Sequence, residues 1–151
     1  MSLATLLPPQ QVFRLRAASK DAVLAELSRR AAAAIGIAVA GISAAVAARE
    51  RLGSTGVGSG IAIPHARLER LDAPAAFFAR LDRLVDWMSI DGRPVDLVCL
   101  LLSPLNADAD HLSALAAITR RLRQPSIAAL LRSAREDREL LLAIMECDAA
   151  T

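Results

Sequence analysis

Hydrophobic and polar residues follow two different periods in the first part of the chain. Residues 11–17 alternate between the two classes, which predicts a short strand because successive side chains of a strand point to opposite faces. Within residues 23–31 the apolar side chains recur three or four positions apart, the spacing of one helix face. Ser19 is a suitable N-cap for this helix, which is predicted to end near residues 35–36.

A second helix is predicted over residues 41–52, with Gly53 as the left-handed residue that ends it. Residues 53–60 follow, and four of these eight residues are glycine. This segment is therefore predicted to be an irregular loop. The short apolar run 61–63 leaves the loop, and Pro64 must end this run or place it at the edge of a sheet.

Two longer apolar runs in the middle of the chain predict strands over residues 75–81 and 95–102. The second run is continuously hydrophobic, as expected for a strand that is covered on both faces. The dipeptide 91–92, Asp-Gly, predicts a turn before it.

The last third of the chain is predicted to be helical. Asp108 or Asp110 is expected to cap the first of these helices. Pro125 is expected to begin another, and Ser133 with Glu136 predicts a capping box for the last. The order of strands and helices predicts an α/β sandwich, in which helices flank both faces of a mixed β-sheet. The length favours one domain over residues 1–151, with a core at about 12–145.

Composition and charge then exclude several classes of function. Aromatic residues make up only 3% of the chain, so a surface that stacks single-stranded bases is not expected. The net charge of +2 is too small to predict binding to nucleic acid or to a membrane surface. The longest apolar runs, residues 31–46 and 95–102, are too dilute or too short to cross a bilayer.

The cellular compartment is predicted from the N-terminus and the cysteines. Residues 1–9 lack the basic start and apolar stretch of a signal peptide. Cys99 lies within an apolar run and is expected to be buried, while Cys147 is close to the C-terminus. No C-x-x-C motif is present, so a reducing, cytoplasmic location is expected.

The residues best suited to chemistry surround His65, which follows the Gly-rich loop and the short apolar run. A neutral imidazole is a nucleophile near physiological pH. The loop can direct several backbone N–H groups towards one anion, and Ser54 and Thr55 add hydroxyl donors. Arg49, at the end of the preceding helix, can present a planar fork to phosphate oxygens. These parts together suit phosphoryl transfer to a side chain.

On residue type alone, each of these features also has an ordinary structural explanation. By residue type, a histidine such as His65 is more often a satisfied surface or core residue than a nucleophile. A Gly-rich loop is usually a flexible turn, and Arg49 by default forms a helix-surface ion pair. Residues 56–60 match neither a Walker A loop nor a full G-x-G-x-x-G fingerprint, so no nucleotide site is predicted. His111 lies in an acid-rich first helical turn, where a solvated side chain is the simple expectation. With two histidines and no clustered cysteines, no metal site is predicted. A G-x-S-x-G hydrolase elbow is absent from the sequence.

The longest motif decides between these alternatives. Residues 48–65 read ARERLGSTGVGSGIAIPH, residues 93–98 read RPVDLV and residues 110–115 read DHLSAL. In order and spacing, the chain resembles the fructose/mannitol-type IIA family of the bacterial phosphoenolpyruvate phosphotransferase system. Within that family it is most similar to the nitrogen-regulatory IIA proteins. The resemblance covers about residues 12–145 and implies an α/β sandwich around a mixed sheet.

The resemblance also implies roles for individual residues. His65 matches the phosphorylated histidine of the family, His111 the second histidine that helps to hold the phosphoryl group, and Arg49 an arginine beside them. The residues expected around the phosphoryl group are Ser54, Thr55, Gly56 and Ile63. The transfer needs no cofactor and no metal.

The partners that the resemblance implies are proteins. The donor is expected to be the phosphohistidine of an HPr-like protein, which enzyme I charges from phosphoenolpyruvate. The acceptor is either a regulatory protein of nitrogen metabolism or a IIB component in sugar uptake. A third alternative is a purely regulatory binding protein of the same fold. Arg51 and Arg67 replace lysines that are common in nitrogen-type members, and both keep the positive charge.

Overall fold

The computed structural model describes residues 2–146, which form one mixed sheet and six α-helices within that range. The strands are β1 (Val12–Leu15), β2 (Gly56–Gly58), β3 (Ile61–Ala62), β4 (His65–Leu68), β5 (Ala75–Val85) and β6 (Val95–Pro104). The helices are α1 (Leu3–Leu6), α2 (Lys20–Ile35), α3 (Val39–Arg51), α4 (Asp108–Leu122), α5 (Pro125–Ser133) and α6 (Asp137–Ile144).

The sheet has six strands in the order β1-β5-β6-β3-β2, and β4 also pairs with β6. β1 runs parallel to β5, and β5 runs antiparallel to β6. β3 and β4 both run parallel to β6 on the same side of it, with Ile61 opposite Leu97 and His65 opposite Leu101. They thus form one interrupted strand.

Pro64 causes the interruption, because it has no N–H to donate to the ladder. Its carbonyl still accepts from the Leu101 N–H at 2.9 Å, so the strand resumes at once as β4. Sequence patterning predicted the break but not β4. His65 is the first residue after it and lies at the sheet's edge.

Two hydrophobic cores cover the two faces of the sheet. Phe78 belongs to the core under α4, α5 and α6, whereas its neighbour Phe77 belongs to the core under α2 and α3. The central strand β6 contributes to both, and all of its residues except Asp96 are buried. The predicted sandwich, with helices on both faces of a mixed sheet, is confirmed.

The first helix boundaries agree with the sequence patterns. The Ser19 hydroxyl accepts from the Ala22 N–H and caps α2, and Gly36 ends that helix with a φ of 81°. The second helix begins at Val39, two residues before the predicted start. Gly53 follows it with a φ of 149°, which is a positive φ but not the predicted left-handed helical conformation.

Three local predictions were wrong in detail. The first strand is limited to Val12–Leu15, because Gln11 belongs to a 3₁₀ turn (Pro9–Gln11). The segment predicted as an irregular loop contains β2, which pairs antiparallel with β3. Helix α1 near the N-terminus was not predicted at all.

The two predicted caps in the C-terminal third are also wrong. Ala107 is the N-cap of α4, and no side chain caps this helix. Asp108 instead pairs with Arg67 in the first turn. Ser133 is the last residue of α5, and its hydroxyl donates to the Leu130 carbonyl instead of accepting from a backbone N–H of the next helix.

Within residues 2–146, no helix is long and apolar enough to cross a membrane. Cys99 is fully buried, as predicted, and burial raises the pKa of its thiol to about 12. Cys147 lies outside the described residues.

Candidate active site

His65 is held by its own backbone neighbour. Its Nδ1 lies 2.8 Å from the Ile63 carbonyl oxygen. Because a carbonyl can only accept, Nδ1 must carry the proton. In a neutral ring this leaves the lone pair on Nε2, which is therefore the nucleophilic nitrogen.

The surroundings of His65 keep that ring neutral. Burial lowers the pKa of His65 below its ordinary value of 6.5, and the charges of Arg49 and Arg67 lower it further. The Ile63 carbonyl and the Glu50 carboxylate oppose this shift in the pKa. The net direction is downward, so the unprotonated nucleophile predominates at neutral pH.

Arg49 reaches this nitrogen from the last turn of α3. Its Nε donates to His65 Nε2 at 3.2 Å, and its Nη1 donates to the Gly53 carbonyl at 2.9 Å. The guanidinium is thereby positioned beside the unprotonated nitrogen of His65. The structure therefore favours a site role for Arg49 over the alternative of a helix-surface ion pair.

His111 lies beside His65 rather than in solvent. The two ring centroids are 5.4 Å apart with planes inclined at 52°, and His111 is only 6% exposed. Its Nδ1 lies 2.6 Å from the hydroxyl of Ser103, a buried residue of β6. Burial lowers the pKa of His111 to about 4, aided by the charges of Arg67 and His65. The simple expectation of a solvated histidine is wrong.

Arg67 is a second positive charge close to His65 and His111. It lies two residues after His65 on β4, hence on the same face of the sheet. Its Nη1 donates to Asp108 and to the Leu105 carbonyl, the latter at 3.2 Å. This ion pair ties the histidine strand to the start of α4, which carries His111. Sequence patterning treated Arg67 only as a replacement for lysine.

The hydroxyls of the loop are occupied by protein groups. Ser54 Oγ donates to the Trp87 carbonyl at 2.6 Å and accepts from the Gly56 N–H at 3.1 Å. Thr55 Oγ1 donates to Glu50 and accepts from Trp87 Nε1 at 3.2 Å. In this arrangement both hydroxyls shape the loop, and neither is a free donor for a phosphoryl group.

A half-buried ion pair connects the loop to the histidine. Lys20 Nζ lies 2.7 Å from Glu50 Oε1, which also accepts from the Thr55 N–H at 3.3 Å. The Thr55 carbonyl accepts from the Ile63 N–H at 3.0 Å, and the Ile63 carbonyl holds His65 Nδ1. Sequence reasoning missed Lys20 and Glu50, although Glu50 lies within the long motif.

Gly56 and Ile63 have tightly defined surroundings. A Cβ at position 56 would lie 2.1 Å from Ser89 Oγ and 3.2 Å from the Ser89 Cα, so only glycine fits here without displacing that segment. The Ile63 side chain is buried in the core, which leaves its backbone to act on His65. Among the described residues, no group of three or more His, Cys, Asp or Glu side chains is arranged to hold a metal ion.

Comparison with known proteins identifies the family of the chain. Residues 5–147 match the family model described as phosphoenolpyruvate-dependent sugar phosphotransferase system, EIIA 2. The chain belongs to this family. The predicted resemblance to its fructose/mannitol-type members is confirmed, as is the closer resemblance to the nitrogen-regulatory IIA proteins.

Individual relatives of this IIA chain cover most or all of its length. A nitrogen regulatory protein of Bradyrhizobium diazoefficiens is 43% identical, with 100% of this chain and 99% of the relative covered. The crystal structure of nitrogen regulatory protein IIA-Ntr from Neisseria meningitidis superposes with a TM-score of 0.87 at 30% identity, covering 94% and 98% of the two chains. The mannitol IIA enzyme of Escherichia coli, solved in complex with phosphorylated IIB, shares the fold with a TM-score of 0.73 at 19% identity over 87% and 90%.

Proposed function

We propose that this IIA chain is a phosphocarrier whose acceptor atom is Nε2 of His65. The observation that carries the proposal is the state of that ring. Nδ1–H is held by the Ile63 carbonyl, the pKa lies below its ordinary value, and Arg49 stands 3.2 Å from Nε2. A neutral imidazole with one fixed proton is the form that a phosphoryl acceptor needs.

The donor in this proposal is the phosphohistidine of an HPr-like protein. The Nε2 lone pair of His65 attacks phosphorus in line with the donor's N–P bond. That bond breaks as the new one forms, and its electron pair returns to the donor nitrogen. The phosphorylated ring gains positive character at Nδ1–H, so the hydrogen bond to the Ile63 carbonyl strengthens in the product.

Arg49 has the most direct role in stabilising the transferred group. In the free protein its Nε donates a hydrogen bond to His65 Nε2. When the new bond forms, the guanidinium must turn to the phosphoryl oxygens. A guanidinium and phosphate oxygens make charge-assisted, often bidentate hydrogen bonds. The same side chain therefore shields the nucleophile before transfer and holds the phosphoryl charge after it.

His111 is the second donor in this mechanism. When the Ser103 hydroxyl donates to Nδ1 of His111, the ring proton resides on Nε2. This nitrogen then offers an N–H to the phosphoryl oxygens beside His65, whose ring centroid is 5.4 Å away. Because burial keeps His111 neutral, it acts as a hydrogen-bond donor and not as a cation.

The output proposed for this carrier is regulation in the cytoplasm. The full-length relative at 43% identity is named a nitrogen regulatory protein, and phosphorylation of His65 would place new negative charge beside Arg49 and Arg67. The alternative acceptor is a separate IIB protein, since the mannitol IIA enzyme of the same fold was solved with phosphorylated IIB. A IIB protein would discharge His65, whereas a regulator would bind one phosphorylation state preferentially.

Intact mass measurement tests the proposal. The chain is incubated with phosphoenolpyruvate, enzyme I and an HPr-type donor, alongside His65→Ala. The proposal predicts one acid-labile phosphoryl group on the wild type and none on the variant. If the wild type remains unmodified with HPr-type donors from both the sugar and the nitrogen branches of the phosphotransferase system, the alternative of a regulatory binding protein is supported instead. Adding a IIB protein to the phosphorylated chain then separates the two acceptors.

A further inference from the structure

A second polar cavity lies apart from the histidine pair. It has a volume of about 500 Å³ and lies between the sheet and the junction of α5 with α6. Its charged lining is dominated by arginine: the residues are Arg14, Arg80, Arg83, Arg132 and Arg135, with Asp82 and Asp96. Five cations therefore face two carboxylates.

The strand register separates this cavity from the site at His65. Arg14 of β1 and Arg80 of β5 are direct partners, so their side chains stand side by side on one face of the sheet. Arg80 lies opposite Leu97 of β6, whereas His65 lies opposite Leu101. The two positions differ by four residues along β6, roughly 13 Å, and they are on opposite sides of that strand.

Arg80 is the unusual member of the group because it is only 9% exposed. Its Nη1 donates to the Leu131 and Arg132 carbonyls at 2.9 and 3.0 Å, at the end of α5. The Asp82 carboxylate is 3.8 Å from its Nη2, and its buried Nε has no hydrogen-bond partner in residues 2–146. A buried guanidinium normally has its charge paired and all its N–H donors hydrogen-bonded. The Arg80 guanidinium lacks a partner for its Nε and has only a distant carboxylate.

The remaining arginines leave positive charge available to a ligand. Arg132 is neutralised by Asp96 through hydrogen bonds from its Nε at 3.0 Å. The guanidinium groups of Arg83 and Arg135, by contrast, make no ion pair with any described residue. The register of β5 also shifts between Arg80 and Val85, and such bulges redirect side chains next to binding sites.

We propose that this cavity binds a small multivalent oxyanion. Arg80 lies at the floor of the cavity, and Arg83 and Arg135 lie at its rim. Guanidinium groups recognise carboxylate and phosphate through the same planar, bidentate geometry. The volume lies within the range of small-molecule sites, which favours a metabolite-sized anion over an acidic protein segment. Because the ligand would bridge β5 and the α5–α6 junction, its binding would stabilise the folded chain.

Calorimetry on the full chain tests the proposal with pyrophosphate and citrate as probes. Each titration is compared with chloride at matched ionic strength. The test variant combines Arg83→Gln with Arg135→Gln, since both side chains are exposed and unpaired within the described residues. The matched control combines Arg70→Gln with Arg120→Gln, which removes the same charge from two exposed positions outside the cavity. Arg49→Gln serves as a third variant that reports on the histidine site.

The proposal predicts binding of at least one probe, weakened about tenfold or more by the test variant, because hydrogen bonds to charged groups are lost. The control and Arg49→Gln should retain the wild-type affinity. Binding of pyrophosphate alone would identify a phosphate ligand, and binding of citrate alone a polycarboxylate. Equal weakening in test and control variants would overturn the proposal, as would a loss confined to Arg49→Gln. Heats indistinguishable from chloride for both probes would also overturn it, leaving Arg80 as a helix cap only.

Discussion

At the scale of single residues, the chemistry depends on which nitrogen of His65 is free. The Ile63 carbonyl holds Nδ1, and this contact comes from the backbone two residues earlier in the chain. It forms at Pro64, where the strand along β6 is interrupted between β3 and β4. The sequence motif identifies the histidine, but only the structure shows which nitrogen is nucleophilic.

Arg49 gives the first prediction. Removal of its guanidinium in Arg49→Ala should slow single-turnover transfer from a phosphorylated donor by about 100-fold or more, the effect of losing one oriented donor to a developing anion. Arg51→Ala is the matched control, since Arg51 is exposed at the end of the same helix. A folded Arg49→Ala protein that transfers at the wild-type rate would remove Arg49 from the mechanism.

The pH dependence of stability gives a prediction for His111. Its pKa is about 4 in the folded chain against 6.5 for a free histidine. The unfolded chain therefore binds more protons between these values, so the free energy of unfolding falls as the pH drops from about 6.5 towards 4 and is unaffected by this group above that window. Urea unfolding of wild type and His111→Gln across this range measures the difference. Parallel pH profiles for the two proteins would show that His111 does not titrate as the structure requires.

At the scale of elements, the loop between α3 and β3 is held by charge as well as by backbone conformation. The Glu50 carboxylate forms an ion pair with Lys20 and accepts hydrogen bonds from the N–H and the hydroxyl of Thr55. The side chain of Glu50 is largely buried. From Thr55 the hydrogen bonds continue through Ile63 to the ring of His65. We therefore expect Glu50 to position His65 through the loop.

Replacement by Glu50→Gln tests this positioning. The amide keeps the shape of the side chain but loses the charge that pairs with Lys20, so the link from Thr55 to Ile63 should loosen. We expect the ¹⁵N spectrum of His65 to show mixed tautomers and its pKa to fall further, since Glu50 raises that pKa. Transfer should slow at the same time.

Glu69→Gln is the control for this variant, because Glu69 is exposed beyond the end of β4. It should leave both the ¹⁵N spectrum and the transfer rate unchanged. If Glu50→Gln retains the Nδ1–H tautomer and the wild-type rate, the ion pair between Lys20 and Glu50 is structural only and does not position His65.

Local sequence patterns predicted elements better than their ends. The period of residues 23–31 and the Ser19 cap predicted α2, because both signals lie within a few residues of the helix they define. Asp108 failed as a cap because Arg67, distant in sequence, takes its carboxylate. Strand β4 escaped prediction since its pairing partner, β6, is more than thirty residues away. Contacts of that kind are set by the tertiary fold, which no local period encodes.

At the scale of the whole molecule, the two cores place the site. The continuous hydrophobic run of β6 predicted a strand covered on both faces, and the structure confirms it. Arg49 comes from α3, on the face covered by α2 and α3, whereas His111 comes from α4 on the opposite face. The two meet at His65 because β4 is at the edge of the sheet, where side chains from both layers can converge.

Sequence resemblance assigns His65, His111 and Arg49 to one site, and the structure brings all three together. The resemblance does not predict the occupied hydroxyls of Ser54 and Thr55. Their partner Trp87 is more than thirty residues away, and Glu50 lies within the motif but was not predicted to bond to Thr55. The motif thus predicts which groups converge at His65, while the supporting contacts become visible only in the folded chain.

The most direct test of the central claim is the position of the phosphoryl group on the ring. Long-range ¹H–¹⁵N correlation spectra of the phosphorylated, ¹⁵N-labelled chain distinguish the two nitrogens of His65. The structure predicts phosphorus on Nε2 and a retained proton on Nδ1, where the Ile63 carbonyl holds it. Phosphorus on Nδ1, or on His111 instead of His65, would contradict this account.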